Sequence, residues 1–285
     1  MDALWMAAPA FARGWDSNVR RHPLPPMLHS IRPVLKANSD PSFPEFEQAG
    51  WENAGVVANY HEHLSGVTTQ SVEALLDAAG IRSGSRVLDV ATGAGYIAGA
   101  AAQRSAEAIE VDFSAAQVRM ARDRYPNVRF EQANAEALPF DPQSFDAVVN
   151  GFGMCHLPNP EVALREAFRV LKSGGRVAFT VWDVPERSVG FGAVYIAVRA
   201  HGSMNVGLPA GPNFFLFSDP EQSTKALLAA GLSPLPVVRC HKFGAYPILT
   251  RSFRASMKAA CALLRRFAPK HPRRERPSGL QCVIW

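Results

Sequence analysis

Cysteine is scarce in this 285-residue chain, and what there is lies scattered. Cys155, Cys240, Cys261 and Cys282 stand far apart. None shows the close pairing of a structural zinc site or a redox CxxC motif. That argues against a disulfide scaffold and a thiolate metal centre, and it fits free thiols in a reducing cytoplasm. No metal is expected. Long apolar runs are also missing: none approaches the ~20 residues that a membrane-spanning helix needs. The N-terminus lacks the basic start and apolar core of a secretory signal. The net charge of +5 is no general feature either. Arg265, Arg266, Lys270, Arg273, Arg274 and Arg276, set against the single acid Glu275, account for the whole excess. Such a tail can touch nucleic acid or an anionic surface. The body of the chain has no basic face interleaved with aromatics, so no specific nucleic-acid partner is expected.

What is present is an alternating chain of moderate apolar content. Residues 1–45 hold Pro9, Pro23, Pro25, Pro26, Pro33, Pro41 and Pro44, which forbids a continuous helix and predicts an extended leader. Trp51–Ala79 reads as helical and stops at Gly80. Strands are then predicted at Arg86–Val90, Ala108–Asp112, Val128–Gln132, Phe145–Asn150 and Arg176–Trp182. Helices fall between them at Tyr96–Gln103, Ser114–Arg124 and Pro160–Lys172. Ser114 and Asn159 stand as N-caps, and Gly174 as the stop after the last of these helices. Strands alternating with helices predict a parallel sheet covered on both faces, with any ligand over the strand C-termini. Further on, helices are expected at Phe191–His201 and Asp219–Ala230, and a strand at Leu235–His241. Residues 46–245 are read as one domain with its core at 85–182. Residues 246–285 form a basic extension, in which Arg265–Trp285 reads as a truncated or frame-shifted end.

The most informative stretch is Val87–Gly95, VLDVATGAG. An apolar strand ends in an acid, a small-residue loop follows, and a helix begins. Gly93 and Gly95 have no Cβ to keep a ligand from the backbone, and the free N–H groups at the helix start favour an electron-rich group. Two cofactors fit this loop. Gly93-Ala94-Gly95-Tyr96-Ile97-Ala98 satisfies the dinucleotide fingerprint, with Asp112 placed 19 residues on as a ribose-binding acid. That reading gives an NAD(P)-dependent oxidoreductase. Against it, Asp89 would repel a pyrophosphate, whereas a cationic single-nucleoside ligand would be drawn to it.

The downstream residues carry a resemblance. Val87–Gly95, Ile109-Glu110-Val111-Asp112-Phe113-Ser114, Asn134–Phe140 followed by Ser144-Phe145-Asp146, and Arg169–Gly175 resemble four successive motifs of the class I S-adenosylmethionine (SAM)-dependent methyltransferases. The match is to the small-molecule group that includes the ubiquinone/menaquinone C-methyltransferases. Together the motifs span about a third of the chain. The resemblance implies an α/β, Rossmann-like, doubly wound and mostly parallel sheet with an N-terminal helical lid. It also implies SAM as cofactor and a small, hydrophobic methyl acceptor as substrate, in a cytoplasmic enzyme for which a homodimer stays open. A catalytically inactive binding protein on the same fold is the second alternative.

On that resemblance, Asp89 meets the cofactor's ammonium group and Ala91, Gly93 and Gly95 line its loop. Asp112 holds the ribose hydroxyls through its two oxygens, with Phe113 beside it. Asn134 stands where the family commonly has an acid contacting adenine, and Ala135 offers its N–H to the ring. Asn150 and Gly151 border the methionine end. Tyr60, His61, Phe152, Met154 and Trp182 are candidate substrate contacts, with Asp183 beside Trp182, and Phe214, Phe215 and Phe217 suit an apolar pocket wall. His156 is the candidate acid/base, since histidine titrates near neutrality. Core packing, capping and surface roles stand as the plain alternatives for each. Methyl transfer from a sulfonium needs alignment more than activation, which accounts for a chain without a nucleophile triad.

Overall fold

The computed structural model describes residues 41–205, 207–234, 237–242 and 280–284. Most of the proline-rich leader, and most of the extension from 246, lie outside these residues. A seven-stranded sheet organises the chain, in the order β3-β2-β1-β4-β5-β7-β6. Its strands are β1 (Arg86–Val90), β2 (Glu107–Asp112), β3 (Arg129–Gln132), β4 (Phe145–Gly151), β5 (Leu171–Trp182), β6 (Val238–Lys242) and β7 (Leu280–Ile284). The first five run parallel. β7 is antiparallel to both β5 and β6. The segment Leu280–Ile284, read from the sequence as part of a shifted end, therefore occupies an interior position in the sheet.

The helices are α1 (Phe43–Glu52), α2 (Ala54–Thr68), α3 (Val72–Ala78), α4 (Tyr96–Gln103), α5 (Ala115–Arg124), α6 (Pro160–Val170), α7 (Val189–His201) and α8 (Pro220–Ala229). Strand alternation divides the core into two layers, because neighbouring side chains point to opposite faces. Leu88, Val90, Ile109, Val111, Val148 and Phe179 join Leu164 of α6 and Leu227 of α8 on one face. Val87, Ala147, Val149 and Ala178 join Leu75, Leu76 and Ile97 of α3 and α4 on the other. Asp89 and Glu110 alternate onto this second face. They are direct partners in the β1–β2 register.

Several local expectations shift by a few residues. The predicted helix to Lys172 ends at Val170, because the chain turns straight into β5. There a bulge lies between the Phe145–Leu171 and Ala147–Arg176 pairings, and it carries Gly174 at φ 77°. Asn159 sits at the N-cap of α6 without capping it through its side chain. Its amide is turned to Glu136 at 3.0 Å instead. Ser114 does cap α5, accepting from the Gln117 amide at 3.1 Å.

α6 buries Pro160, Ala163, Leu164, Ala167 and Val170, the i, i+3, i+4, i+7 stripe of an amphipathic helix. Leu164 is 2% exposed, whereas Leu228 on α8 is 60% exposed. Leu164→Ala is expected to cost about 2–5 kcal/mol in urea unfolding, with an unchanged slope, and Leu228→Ala less than about 0.5 kcal/mol. Equal losses at the two positions would contradict this layering.

Candidate active site

The parallel strands all end at one edge, and a cleft opens there between the sheet and the N-terminal helices. It encloses about 740 Å³ with its open mouth included, between walls that include Trp51, Tyr60, His61, Ala91, Gly93, Asp112, Phe113, Gly151, Phe152 and His156. Ala91 (φ 55°) and Phe152 (φ 62°) both adopt the left-handed conformation, which is costly for residues with a Cβ. They follow β1 and β4 at matching places, where the chain must turn sharply away from the strands. Strain of this kind gathers where a backbone is held open for a ligand.

Asp112 ties the floor together. Its carboxylate accepts from the Gly93 amide at 3.0 Å and from the Ser114 amide at 2.9 Å. Burial pushes this carboxyl up to about 6, against the lowering effect of those two amides. A carboxylate has about four lone-pair sites, so two protein bonds leave acceptor capacity for a ligand.

Beneath the glycine loop lies an arrangement that the sequence reading did not foresee. Asp89 and Glu110 are both fully buried. The Thr92 hydroxyl contacts both, reaching the Asp89 Oδ2 at 2.7 Å and the Glu110 carboxylate at shorter range. One hydroxyl has one proton to donate. The second contact therefore requires a carboxyl that donates in turn, so one of the two acids carries a proton. Burial raises both carboxyls above the usual range; the Asp112 charge adds to it for Asp89, and the Asp89 and Asp112 charges for Glu110. Among the described residues Asp89 Oδ1 and Glu110 Oε1 meet no donor within hydrogen-bond geometry, although the Ala98 amide acts to lower Asp89. The sequence signal was an acid inside the otherwise apolar strand run Ala-Ile-Glu-Val.

The N-terminal helices complete the walls. The Ser114 hydroxyl donates to the Trp51 carbonyl at 2.6 Å, and the Ala115 amide donates to Glu52 at 2.9 Å. His61 Nε2 lies 2.9 Å from Gln117 Oε1, and burial lowers its pKa and keeps the ring neutral. His156 Nδ1 lies 2.9 Å from Glu47 Oε2. Burial alone would lower His156, but Cys155 and the Glu47 carboxylate outweigh it and hold the imidazole well above the usual histidine range. Tyr60 is kept neutral by burial.

Other candidates stand outside the cleft walls. Asn150 is buried and structural: its amide donates to the Val90 carbonyl at 2.8 Å and its oxygen accepts from the Gly153 amide at 2.9 Å. Gly95 (φ 79°) starts α4 and faces Tyr125 and Phe130. Asn134 turns its oxygen to the Glu136 amide at 2.9 Å, and Ala135 lies in the core. Met154 belongs to the main core. Trp182 stacks on Phe152 at 4.3 Å between ring centroids, in a cluster with Phe191, Phe214 and Phe215. The phenylalanine loop thus backs the cleft wall instead of lining it: Phe214 and Phe215 pack edge-on to each other and to Phe191, and Phe217 packs on Phe179. Asp183 is fully buried and held by Arg187 at 2.6 Å.

Residues 88–179 match the family model described as a methyltransferase domain. That segment is therefore similar to methyltransferase domains. The chain is 36% identical over 119 residues to the ubiquinone/menaquinone biosynthesis C-methyltransferase UbiE of Idiomarina loihiensis. It is 37% identical over 111 residues to the demethylmenaquinone methyltransferase of Renibacterium salmoninarum. Each match covers 39% of this chain and 47% of the relative, so the chain spans about half the length of these curated relatives. Among solved structures, a SAM-dependent methyltransferase from Thermotoga maritima superposes with a TM-score of 0.53 at 21% identity, over 81% of this chain and 95% of the other. The [4+2]-cyclase SpnF superposes with a TM-score of 0.55 at 18% identity, over 87% and 97%. These two establish the shared fold of the methyltransferase domain. No described helix is long and apolar enough to cross a membrane.

The buried acid pair makes a prediction about stability. The folded state raises Glu110 above its usual 4.5, so folding favours the protonated carboxyl. The cost of ionising it appears as pH rises past the unfolded value and grows up to the folded one. Glu110→Gln should therefore match the wild type near pH 4. At pH 8 it should melt about 2–4 °C higher, equivalent to about 1 kcal/mol. Equal melting temperatures at pH 8 would show that the acid pair carries no such cost.

Proposed function

We propose that this chain is a SAM-dependent methyltransferase acting on a small, hydrophobic metabolite. The observation that carries the reading is Asp112 at the mouth of the glycine loop, its carboxylate anchored by two amides and still able to accept from a vicinal diol. The donor set suits the cofactor. Asp112 would take the ribose hydroxyls, the Ala91–Gly93 backbone would lie along the ligand, and Phe113 would sit beside the base. Asp89, buried beneath the loop, would supply negative potential towards an ammonium group. When bound, SAM supplies an electrophilic methyl group on a sulfonium leaving group. The protein's tasks are then alignment, exclusion of water and, for some acceptors, removal of a proton. The aromatic walls Trp51, Tyr60, Phe113 and Phe152 favour an apolar acceptor. The names of the relatives point in the same direction, to quinone-type substrates.

A dinucleotide fits less well. Asp89 and Glu110 lie side by side under the loop where a pyrophosphate would rest, and carboxyls there disfavour phosphate. The sheet also inserts an antiparallel β7 between β5 and β6, unlike the six-stranded order of dinucleotide-binding sheets.

Calorimetric titration with SAM, S-adenosylhomocysteine and NADH tests the reading. The adenosyl compounds are expected to bind and NADH is not. Asp112→Ala should weaken binding by about 10–100-fold, the loss of one charge-assisted hydrogen bond worth about 1.5–3 kcal/mol. Protonation removes acceptor capacity from Asp112, whose carboxyl titrates at about 6. Affinity should therefore hold above that pH and fall below it, by up to about tenfold per pH unit. Binding of NADH alone would revive the oxidoreductase. Binding of S-adenosylhomocysteine without methyl transfer to any acceptor would favour an inactive binding protein.

A further inference from the structure

Helix α1 carries Phe43, Glu47 and Trp51 at intervals of four, and all three are buried. Residues so spaced share one helix face. An acid in the middle of an apolar stripe needs a partner, and Glu47, 3% exposed, has two. Its Oε2 accepts from Trp51 Nε1 at 3.0 Å and lies 2.9 Å from His156 Nδ1, 109 positions away in sequence. The Trp51 ring stands edge-on to the imidazole at 5.1 Å between centroids, and Phe214 stands edge-on at 6.2 Å. A carboxylate can only accept, so Nδ1 carries the proton. In the neutral ring the lone pair is then on Nε2. His156 borders the same cleft as Asp112 and Phe152.

Resting on the methyltransferase reading, we propose that Glu47 positions His156 as proton acceptor for a methyl acceptor that must lose a proton, and that in this apolar cleft the proton comes from a hydroxyl of the phenol or enol type. In the step, the oxygen of the acceptor, or a ring carbon conjugated to it, forms the bond to the methyl carbon. The C–S bond breaks with its electron pair left on sulfur, and the hydroxyl proton passes to His156 Nε2. The Glu47 carboxylate balances the imidazolium that results. A tertiary amine or thioether has no proton to lose and gains nothing from the pair. Glu47 reaches His156 from α1, so the same helix that walls the cleft with Trp51 also supplies the partner of the base.

The ionisable groups whose interactions reach His156 are Glu47 from α1, Cys155 from its own turn and Asp112 from the end of β2. Nearby Tyr60 stays neutral. Histidine-labelled full-length chain is titrated by NMR with S-adenosylhomocysteine present, and His156→Gln assigns the resonance. The wild-type midpoint is expected above the usual histidine value, and Glu47→Gln should move it to lower pH. Trp51→Phe keeps an aromatic ring and removes only the N–H that competes for the same carboxylate oxygen. Its midpoint should stay or rise, which keeps the test open if Glu47→Gln folds poorly.

Product S-adenosylhomocysteine is then measured by mass spectrometry with a catechol, a naphthohydroquinone and a tertiary aniline as probes. Turnover is expected with the hydroxylated probes, rising with pH to a plateau above the His156 midpoint. Glu47→Gln should lower that plateau by about 100-fold and shift the limb to lower pH. A midpoint that does not respond to Glu47→Gln overturns the dyad. Turnover of the aniline alone, or of no probe while S-adenosylhomocysteine binds, overturns the acceptor class. If S-adenosylhomocysteine does not bind, the methyltransferase reading itself fails, and the midpoints still decide the dyad.

Discussion

The Asp112 carboxylate holds the cleft in register. One oxygen fixes the glycine loop after β1 through Gly93, and the other fixes the start of α5 through Ser114. Everything on the open side of the cleft hangs from that second bond. Ser114 and Ala115 receive the α1 end through the Trp51 carbonyl and Glu52. α1 in turn brings Glu47 to His156, which stands on the turn after β4. A ligand gripping Asp112 therefore presses on the same framework that orients the histidine. A chain of hydrogen bonds of ordinary length links the two ends of the site.

The acids around this framework work against folding. Asp89, Glu110 and Asp112 lie within one small buried region, and each raises the others' pKa or is raised by burial. Three ionised carboxylates there would be prohibitive. Thr92 relieves the conflict by letting one proton serve two acids. The position looks uneconomical as a stability device, and an amide at 110 would satisfy the same hydroxyl without the charge conflict. The pair makes more sense as a source of negative potential behind a cationic ligand, where a low dielectric magnifies its effect.

Much of this was legible in the sequence. The alternation of apolar strands with helices gave the five parallel strands to within a few residues, because period and punctuation are local properties. Gly93 and Asp112 were singled out by motif position and His156 by its place just past the fourth strand, and all three border the cleft. What stayed hidden depends on contacts between distant segments. Glu47 and Glu110 were each visible as an acid on an apolar face, but their partners lie on other elements. Met154 and Trp182 were read as substrate contacts from their places just past the strand ends, and the phenylalanine loop as an apolar pocket wall. Aromatic rings that can stack on one another bury themselves first, and sequence does not say which side of a turn they take. β7 was missed because its pairing partners, β5 and β6, are reached only after a long excursion of the chain.

The fold limits the reaction less than the site does. A cyclase shares this architecture over most of its length, so the sheet by itself leaves the reaction open. With a sulfonium donor, the methyl group is already poised to leave, and the barrier that remains belongs to the acceptor. An acceptor that loses its proton unaided needs only a shaped, dry cleft, which the aromatic walls provide. An acceptor that keeps its proton needs a base at the same place. A histidine backed by a buried carboxylate costs the fold a desolvated charge and part of a helix face. That cost has a physical rationale if the proton is part of the chemistry, which is why the Glu47–His156 contact says more about the acceptor than the apolar lining does.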